Sequence, residues 1–293
     1  MIQKIQNAAG LLAVDIDGTL ITDHGTITDS VYRALEKAVT VNWELVIASG
    51  RTYYAAKGII DQLPYLRYAV MSNGSCIMDM REKRMLRMQT LPRDVAHEVI
   101  RIVRSHGAIP AIYDTEVENQ QVYYDTLEGS CEYFEWYVRE DPRCRMIDDI
   151  TSYDGEILQI GTIAEKDIIF GIRDAVDGDM ARVVALPFES PFFGGKNQDY
   201  WFLQVVGIDA TKHNALRYLS ERLEIPRGRL IAVGDNYNDA GMITHADIGV
   251  AMGNAPDEIK KIAQLVVGSN NHSGLSDVVE EVILSGKYFP ESD

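Results

Sequence analysis

The chain has 293 residues, enough for two domains, and its 46% hydrophobic and 25% charged residues are typical of a globular protein. The net charge of −16 argues against nucleic acid or an anionic membrane as a main partner, because both bind clusters of lysine and arginine. It does not exclude a small anionic substrate, since a metal ion and a few local cations can reverse the field inside a pocket.

Cysteine usage and hydropathy bear on the compartment. The three cysteines form no Cys-x-x-Cys pair and leave an odd thiol, which is typical of a reducing environment. The first ten residues lack the apolar core of a signal peptide, and no apolar run approaches the length of a membrane span. We therefore expect a cytoplasmic protein without membrane partners.

Apolar runs and helical periodicities alternate at both ends of the chain. The N-terminal half of this pattern predicts strands at 11–14, 44–48 and 68–71, with helices at 27–39 and 53–63. The C-terminal half predicts helices at 211–223 and 275–284, with strands at 230–235, 247–251 and 265–267. Strands that alternate with helices indicate crossover units, so we predict an α/β fold with a parallel, Rossmann-like sheet.

The middle of the chain has a different pattern of predicted helices and strands. Helices are predicted near 93–106, 130–140 and 166–176, with strands near 111–113, 122–124, 157–163 and 182–186. The aromatic-rich stretch 188–202 is interpreted as sheet core plus a loop, with a wall of the substrate pocket as the alternative. We therefore predict a discontinuous Rossmann-like core of residues 1–82 and 207–293, with an α+β domain of residues 83–206 inserted into it.

Two aspartates follow the first predicted strand. If the extended geometry continues, Asp15 and Asp17 leave the same side of the chain, and burying them together requires a cation or a shared proton. The pair therefore predicts a divalent metal at the open edge of the sheet. The alternative is a pair of turn residues that bind their own backbone. The spacing rejects a calcium loop, because its glycine and closing glutamate positions hold Leu20 and Thr26.

Other segments of the core also carry reactive groups. Ser49 and Gly50 follow the second strand and offer a hydroxyl and backbone N–H groups to phosphate oxygens, although such a pair is also a common turn. Lys212 lies in the first turn of a predicted helix, where it is either a solvated surface lysine or the cation that an anionic substrate requires.

The strand at 230–235 repeats the pattern of the first strand, with an apolar run, a glycine and then polar groups. Asp235 could complete an oxygen-ligand set for Mg²⁺. Asn238 could bind phosphate or orient Lys212, and Asp239 could pair with Lys212. In parallel strands all of these groups meet at one edge of the sheet.

Taken together, these segments resemble the four motifs of the haloacid dehalogenase-like phosphatases. The similar stretches are Asp15-Ile16-Asp17-Gly18-Thr19, Ser49-Gly50-Arg51, Lys212 and Gly234-Asp235-x-x-Asn238-Asp239. Residues 249–255 also look like the segment that follows the fourth motif in that family. A large α/β cap inserted after the third strand resembles the Cof-like, type IIB members. The resemblance covers residues 11–74 and 209–274.

The resemblance implies a role for each matching residue. Asp15 would be the nucleophile that forms an aspartyl-phosphate, and Asp17 the acid and base. Mg²⁺ would bind the carboxylates of Asp15 and Asp235 and the carbonyl of Asp17. The inserted cap would close over the leaving group and select the substrate. The implied phosphate-binding residues are Ile16, Ser49, Gly50, Lys212 and Asn238, and the supporting residues are Asp239, Arg51 and Asn73.

The predicted function is a Mg²⁺-dependent phosphatase of small phosphorylated metabolites, with sugar phosphates as the first candidate substrates. We expect a monomer or a small homo-oligomer. Two alternatives stay open. A phosphomutase of the same superfamily would transfer the phosphoryl group between sugar positions. A non-catalytic protein would bind a phosphorylated ligand without turnover, although binding alone does not require Asp17 as a proton donor.

Overall fold

The computed structural model describes residues 8–176, 178–190 and 195–289. The chain divides into two compact units, the first formed by Met1–Met88 with Thr211–Asp293 and the second by Gln89–Ala210. Both boundaries lie later in the chain than the sequence predicts. Residues 83–88 belong to the first unit because they contain a strand of its sheet, and residues 207–210 belong to the second unit.

Among the described residues, eight strands form the sheet of the first unit. Numbered along the whole chain, they are β1 (Gly10–Val14), β2 (Trp43–Ala48), β3 (Tyr68–Met71), β4 (Cys76–Asp79), β5 (Arg84–Met88), β12 (Leu230–Gly234), β13 (Ile248–Ala251) and β14 (Leu265–Val266). Their order is β14-β13-β12-β1-β2-β3-β4-β5, so β1 lies between β2 and β12. The six strands from β14 to β3 pair in parallel, which confirms the predicted α/β class.

The antiparallel strands β4 and β5 at one edge were not predicted. They form a hairpin, and its turn at 80–83 contains no glycine, proline or asparagine, which are the usual signals of a turn. The carboxylate of Asp79 closes the turn instead. Its Oδ1 accepts hydrogen bonds from the N–H groups of Arg81 at 3.1 Å and Glu82 at 3.0 Å.

Helices connect the parallel strands of the first unit. Three of them begin at a threonine cap, because the hydroxyls of Thr28, Thr52 and Thr211 accept hydrogen bonds from the backbone three residues later. Their apolar stripes pack on the strands, as Leu216 and Leu219 do beside Leu11. The helices are α1 (Asp29–Thr40), α2 (Tyr53–Ile60), α6 (Lys212–Arg222), α7 (Ala240–His245), α8 (Asp257–Ile262) and α9 (Gly274–Asp277), which continues as π-helix over Val278–Leu284.

The second unit has its own sheet and its own core. The sheet has the order β10-β11-β9-β6-β7-β8. Its strands are β6 (Ala111–Tyr113), β7 (Val122–Tyr124), β8 (Cys144–Met146), β9 (Gln159–Glu165), β10 (Ala181–Ser190) and β11 (Gly195–Gly207). Its helices are α3 (Arg93–Ser105), α4 (Glu132–Glu140) and α5 (Lys166–Ala175). One hydrophobic cluster joins the sheet to α3 and α5, and another joins it to α4, as the predicted α+β character requires.

The aromatic-rich stretch contributes to these clusters. Phe188 is buried, and Phe202 packs against the same cluster as Phe134 of α4. Phe192 and Phe193 of the same stretch lie outside the described residues. In the part of the chain that the structure describes, we find no helix with the length and apolar character needed to span a membrane.

Candidate active site

The predicted reactive groups gather at one edge of the first unit's sheet. Asp15 directly follows β1, Ser49 follows β2, and Asp235 follows β12. Because β2, β1 and β12 are adjacent and parallel, their carboxyl ends share that edge, where open α/β sheets bind ligands.

Lys212 links Asp15, at the end of β1, to Asp239, in the loop that follows β12. It is the first residue of α6, and only 2% of its surface is exposed. Its Nζ donates to Asp15 Oδ1 at 2.5 Å and to Asp239 Oδ1 at 2.6 Å. The N-terminus of a helix disfavours a cation, so these two carboxylates offset that cost and the cost of burial. The solvated-lysine alternative is therefore wrong.

Asp239 also organises the loop that follows β12. Its second oxygen, Oδ2, accepts from the N–H groups of Asp235 and Asn236, both at 3.0 Å. The side chain of Asp239 packs so closely against Gly234 that a Cβ at this glycine would lie 2.5 Å from Asp239 Cβ. The glycine in this motif therefore makes room for the side chain that pairs with Lys212.

Asp15, Asp235 and Asp239 form a group that could hold a metal ion, because each offers a carboxylate oxygen and these oxygens lie within 4.8 Å of one another. Thr19 Oγ1 donates to Asp235 Oδ1 at 3.0 Å and orients that carboxylate. Carboxylate oxygens are the donors that a hard cation such as Mg²⁺ prefers.

The electrostatics of this cluster favour a cation. Burial raises the pKa of Asp15 well above its usual range, and the neighbouring carboxylate of Asp239 raises it further, against the opposing effect of Lys212. Burial and Asp239 likewise raise the pKa of Asp235 to about 7. Burial lowers the pKa of Lys212, but the carboxylates of Asp15 and Asp239 outweigh it and leave that pKa above its ordinary value. A bound cation would relieve the repulsion, so the donor set fits the predicted metal.

The carboxylate of Asp17 is not part of the metal-capable group. The regular strand ends at Val14, so the alternation of side chains along a strand does not extend to Asp17. Its carboxylate is exposed and paired with Arg51, whose Nε donates to Oδ2 at 2.8 Å and whose Nη2 donates to Oδ1 at 2.6 Å. Such a two-pronged pair fixes the orientation of the carboxylate.

The predicted phosphate-binding residues surround the same edge. Ser49 is buried, and its Oγ accepts from the N–H of Arg51 at 3.1 Å. Asn238 Nδ2 donates to Asn73 Oδ1 at 3.5 Å, and both atoms lie beside Gly50. The side chain of Ile16 is fully buried and its carbonyl accepts from the N–H of Leu20, so any contact with phosphate would use its backbone N–H.

The segment after β3 approaches the start of α6. Ser72, Asn73 and Gly74 have consecutive positive φ angles of 49°, 57° and 105°. A Cβ at Gly74 would lie 2.3 Å from Thr211 O. The close approach therefore requires glycine here, directly beside the residue that caps the helix of Lys212.

Two residues of the cluster were not assigned to the site from the sequence. Thr19 closes the first motif and Asn254 lies in the segment after the fourth motif, and both bind the carboxylate of Asp235. Their positions in recognisable motifs are the sequence signal that could have found them.

Comparison with known proteins decides the family. The model of the haloacid dehalogenase-like hydrolase family matches residues 12–279. The chain belongs to this family.

Relatives of this haloacid dehalogenase-like hydrolase are named as phosphatases. The 5-amino-6-(5-phospho-D-ribitylamino)uracil phosphatase YcsE of Bacillus subtilis is 25% identical, over 94% of this chain and 96% of its own length. The pyridoxal phosphate phosphatase YbhA of Escherichia coli is 24% identical, over 92% of this chain and 97% of its own length. The predicted enzyme class, a phosphatase of this superfamily, is thereby confirmed.

A solved structure supports the fold of this hydrolase over nearly its whole length. A haloacid dehalogenase-like hydrolase from Bacteroides thetaiotaomicron superposes with a TM-score of 0.75 at 23% identity, covering 93% of this chain and 99% of its own. The predicted Rossmann-like core with an inserted α+β domain is therefore confirmed as the family's architecture.

Proposed function

We propose that this hydrolase is a Mg²⁺-dependent phosphatase that removes the phosphoryl group of small metabolites through an aspartyl-phosphate on Asp15. Sugar phosphates are the first candidate substrates. The observation that carries this proposal is the buried contact of Asp15 with Lys212 beside Asp235, at the carboxyl edge of a parallel sheet. A buried carboxylate next to a cation and a metal-capable group is suited to attack an anionic phosphorus centre.

Asp15 would act as the nucleophile. Lys212 contacts its Oδ1, so Oδ2 is the oxygen we assign to the attack. A bond forms between this oxygen and phosphorus while the bond from phosphorus to the leaving oxygen breaks. In the second step, water attacks the phosphorus of the aspartyl-phosphate, which releases inorganic phosphate and restores the Asp15 carboxylate.

Asp17 would transfer the protons. It would protonate the leaving oxygen in the first step and take a proton from the attacking water in the second. Its contact with Arg51 holds the carboxylate at a defined position near the sheet edge. Because Arg51 occupies both oxygens of Asp17, we infer that one of these hydrogen bonds opens when the substrate binds.

The carboxylates of Asp15 and Asp235 and the carbonyl of Asp17 would hold Mg²⁺. The ion would supply positive charge that offsets the carboxylates and the phosphoryl oxygens. Asp239 serves a different purpose in this assignment, because its two oxygens are already engaged by Lys212 and by backbone N–H groups.

The remaining residues at the edge would hold the phosphoryl group. Lys212 offers the nearest positive charge, Ser49 a hydroxyl, and Asn238 a carboxamide. The backbone N–H groups of Ile16 and Gly50 would complete the set. Fixed donors aimed at the phosphoryl oxygens stabilise the charge of the transition state, which is the main requirement of phosphoryl transfer.

Phosphate release from a panel of phosphomonoesters tests this function. The panel contains sugar phosphates, a phosphorylated sugar alcohol and pyridoxal phosphate, each assayed with Mg²⁺ and with EDTA. We expect metal-dependent release that is lost in Asp15→Asn. If the folded protein releases no phosphate but moves the phosphoryl group between sugar positions, it is a phosphomutase. If it neither releases phosphate nor transfers the phosphoryl group, it is a protein that binds a phosphorylated ligand without turnover.

We further propose a cytoplasmic enzyme that is a monomer or a small homo-oligomer and has no nucleic acid or membrane partner. The net charge of −16 and the three free cysteines support this proposal. Sedimentation of the protein at several concentrations would test the oligomeric state.

A further inference from the structure

Asn254 lies in the turn after β13 and connects two parts of the metal-capable cluster. Its Nδ2 donates to the carbonyl of Gly18 at 2.8 Å and to Asp235 Oδ2 at 3.4 Å. Its Oδ1 accepts from the N–H of Asn270 at 3.0 Å. The orientation of this carboxamide is unambiguous, because Asn270 N–H can only donate and the Gly18 carbonyl can only accept.

The two groups that Asn254 holds are in direct contact with each other. Gly18 has a φ of 76°, and a Cβ there would lie 2.3 Å from Asp235 Oδ2. The backbone just after Asp17 therefore rests on the carboxylate of Asp235. Since Thr19 binds the other oxygen, Oδ1, Asp235 is oriented on both sides.

A second set of hydrogen bonds anchors Asn254 itself. Asn270 is buried, and its Nδ2 donates to the carbonyl of Ile21 at 3.0 Å and to Asp23 Oδ1 at 3.1 Å. The backbone of the same turn is also fixed, because Gly253 N–H donates to Gly268 O at 3.0 Å. Asn254 is thus a link between the loop at 18–23 and the segment at 268–271.

We propose that Asn254 is a positioning residue that fixes the Asp235 carboxylate and the Gly18 backbone for the metal ion. This inference rests on the proposed metal-dependent function. Asn254 itself is assigned no contact with the ion or the substrate. Its effect on them runs through the two groups that its Nδ2 binds, and hydrogen-bond partners of metal ligands typically change metal affinity or activity about 10- to 100-fold.

Metal binding by the folded protein tests this role directly. Mg²⁺ is titrated into EDTA-treated wild type and Asn254→Ala by calorimetry and by the rise of Tm with Mg²⁺ concentration. We expect Asn254→Ala to raise the dissociation constant about tenfold. The matched control is Asn271→Ala, because Asn271 lies in the same neighbourhood but binds Asp23. Its Nδ2 donates to Asp23 Oδ2 at 2.8 Å, and its Oδ1 accepts from Asp23 N–H at 3.0 Å. This control should bind Mg²⁺ as the wild type does.

A second variant separates positioning from folding. Asn254→Asp keeps an oxygen that can accept from Asn270 N–H, so the variant should still fold, although its charge beside Asp235 lowers the metal-free Tm. It replaces the donor with a negative charge facing Gly18 O and Asp235, so kcat/KM at saturating Mg²⁺, measured well below that Tm, should fall about tenfold. A loss of kcat/KM while the variant stays folded in the assay would not arise from a merely structural role.

Four outcomes would overturn the proposal. Wild-type metal affinity in Asn254→Ala, or full kcat/KM in Asn254→Asp, would refute it while the wild type still releases phosphate with Mg²⁺. An equal loss of affinity in Asn271→Ala would show that the whole loop, and not this carboxamide, is responsible. A wild type that neither binds Mg²⁺ nor releases phosphate would remove both this inference and the proposed function.

Discussion

At the scale of single residues, the site is a balance of charges around Lys212. One buried ammonium group contacts the carboxylates of Asp15 and Asp239, and a third carboxylate, Asp235, has an oxygen within 4.8 Å of an oxygen of each. Removing either sign of charge leaves the other without compensation at a buried position. Stability and function are therefore linked at this site, and the proposed Mg²⁺ would affect both.

Lys212→Met should destabilise the metal-free protein. Taking one partner out of a buried ion pair leaves uncompensated carboxylates, which typically costs about 3 kcal/mol of unfolding free energy. Urea denaturation in EDTA measures the change. The control is Lys57→Met, because Lys57 pairs with Asp61 on the exposed surface of α2 and should matter by less than about 1 kcal/mol. If the two variants have equal unfolding free energies, Lys212 is not the charge that stabilises the buried carboxylates.

The metal-free protein should lose stability as the pH rises. Burial and the neighbouring carboxylate of Asp239 raise the pKa of Asp235 in the folded protein to about 7, so folding favours its protonated form. This contribution is fully present below pH 4 and is lost as the pH passes through 7. In EDTA, we expect the unfolding free energy to be about 2 kcal/mol lower at pH 8 than at pH 5.

Two comparisons check the origin of that pH dependence. Asp235→Asn removes one of the titrating groups and should make the stability profile less steep between pH 5 and 8, while Asp15, whose pKa is also raised, still titrates. Saturating Mg²⁺ should flatten it as well, because the cation stabilises the ionised carboxylates. A profile in EDTA that is flat for the wild type, or equally steep in Asp235→Asn, would rule out Asp235 as the source.

At the scale of secondary structure, the site depends on where helices and loops begin. Lys212 reaches Asp15 because α6 begins at that residue, with Thr211 as its cap. The left-handed segment 72–74 packs directly against the backbone of Thr211. A loop that contributes no charge to the cluster therefore helps to position the lysine.

Gly74→Ala should disturb this contact. The new Cβ would stand 2.3 Å from Thr211 O, at a φ of 105° that side chains rarely adopt. We expect a loss of about 2 kcal/mol or more in unfolding free energy and a fall in kcat, because the start of α6 must shift. The same substitution at Gly58, in α2 with open space around it, should stabilise the protein by about 0.5 kcal/mol. A tolerated Gly74→Ala would refute the link to α6.

At the scale of the whole molecule, the chain builds two units with separate cores. The first unit is discontinuous in sequence, and the second, Gln89–Ala210, is one uninterrupted segment. The second unit has its own sheet and its own hydrophobic clusters, which include Phe134 and Ile160. Independent cores of this size are typical of domains that fold on their own.

A fragment of residues 89–210 should therefore fold by itself. We expect cooperative urea unfolding and well-dispersed amide resonances, because its hydrophobic clusters are made from its own residues. A fragment with residues 83–206, the boundaries predicted from the sequence, is the informative comparison. It lacks the end of the segment and should be less stable, since Gly207 closes the pairing of β11 with β10. An unfolded 89–210 fragment would refute the division.

The sequence by itself determined the class of fold, the enzyme class and the residue types that stand at the strand ends. Apolar strands that end in Asp15, Ser49 and Asp235 predict a parallel sheet with one reactive edge, because the side chains that carry charge are visible as residue types in the sequence. The same reasoning missed the hairpin of β4 and β5, since Asp79 closes its turn in place of the usual turn residues. It also placed the boundaries of the inserted unit too early.

Only the tertiary structure decided which partners these residues have. Lys212 is buried between Asp15 and Asp239, which are 197 and 27 positions away in the chain, and Asp17 faces Arg51 rather than the metal-capable group. Asn254 acquires its proposed role solely from contacts with Gly18, Asp235 and Asn270. The physical reason is that burial and pairing of a polar group are set by distant segments that the fold brings together, whereas its intrinsic chemistry belongs to the residue alone.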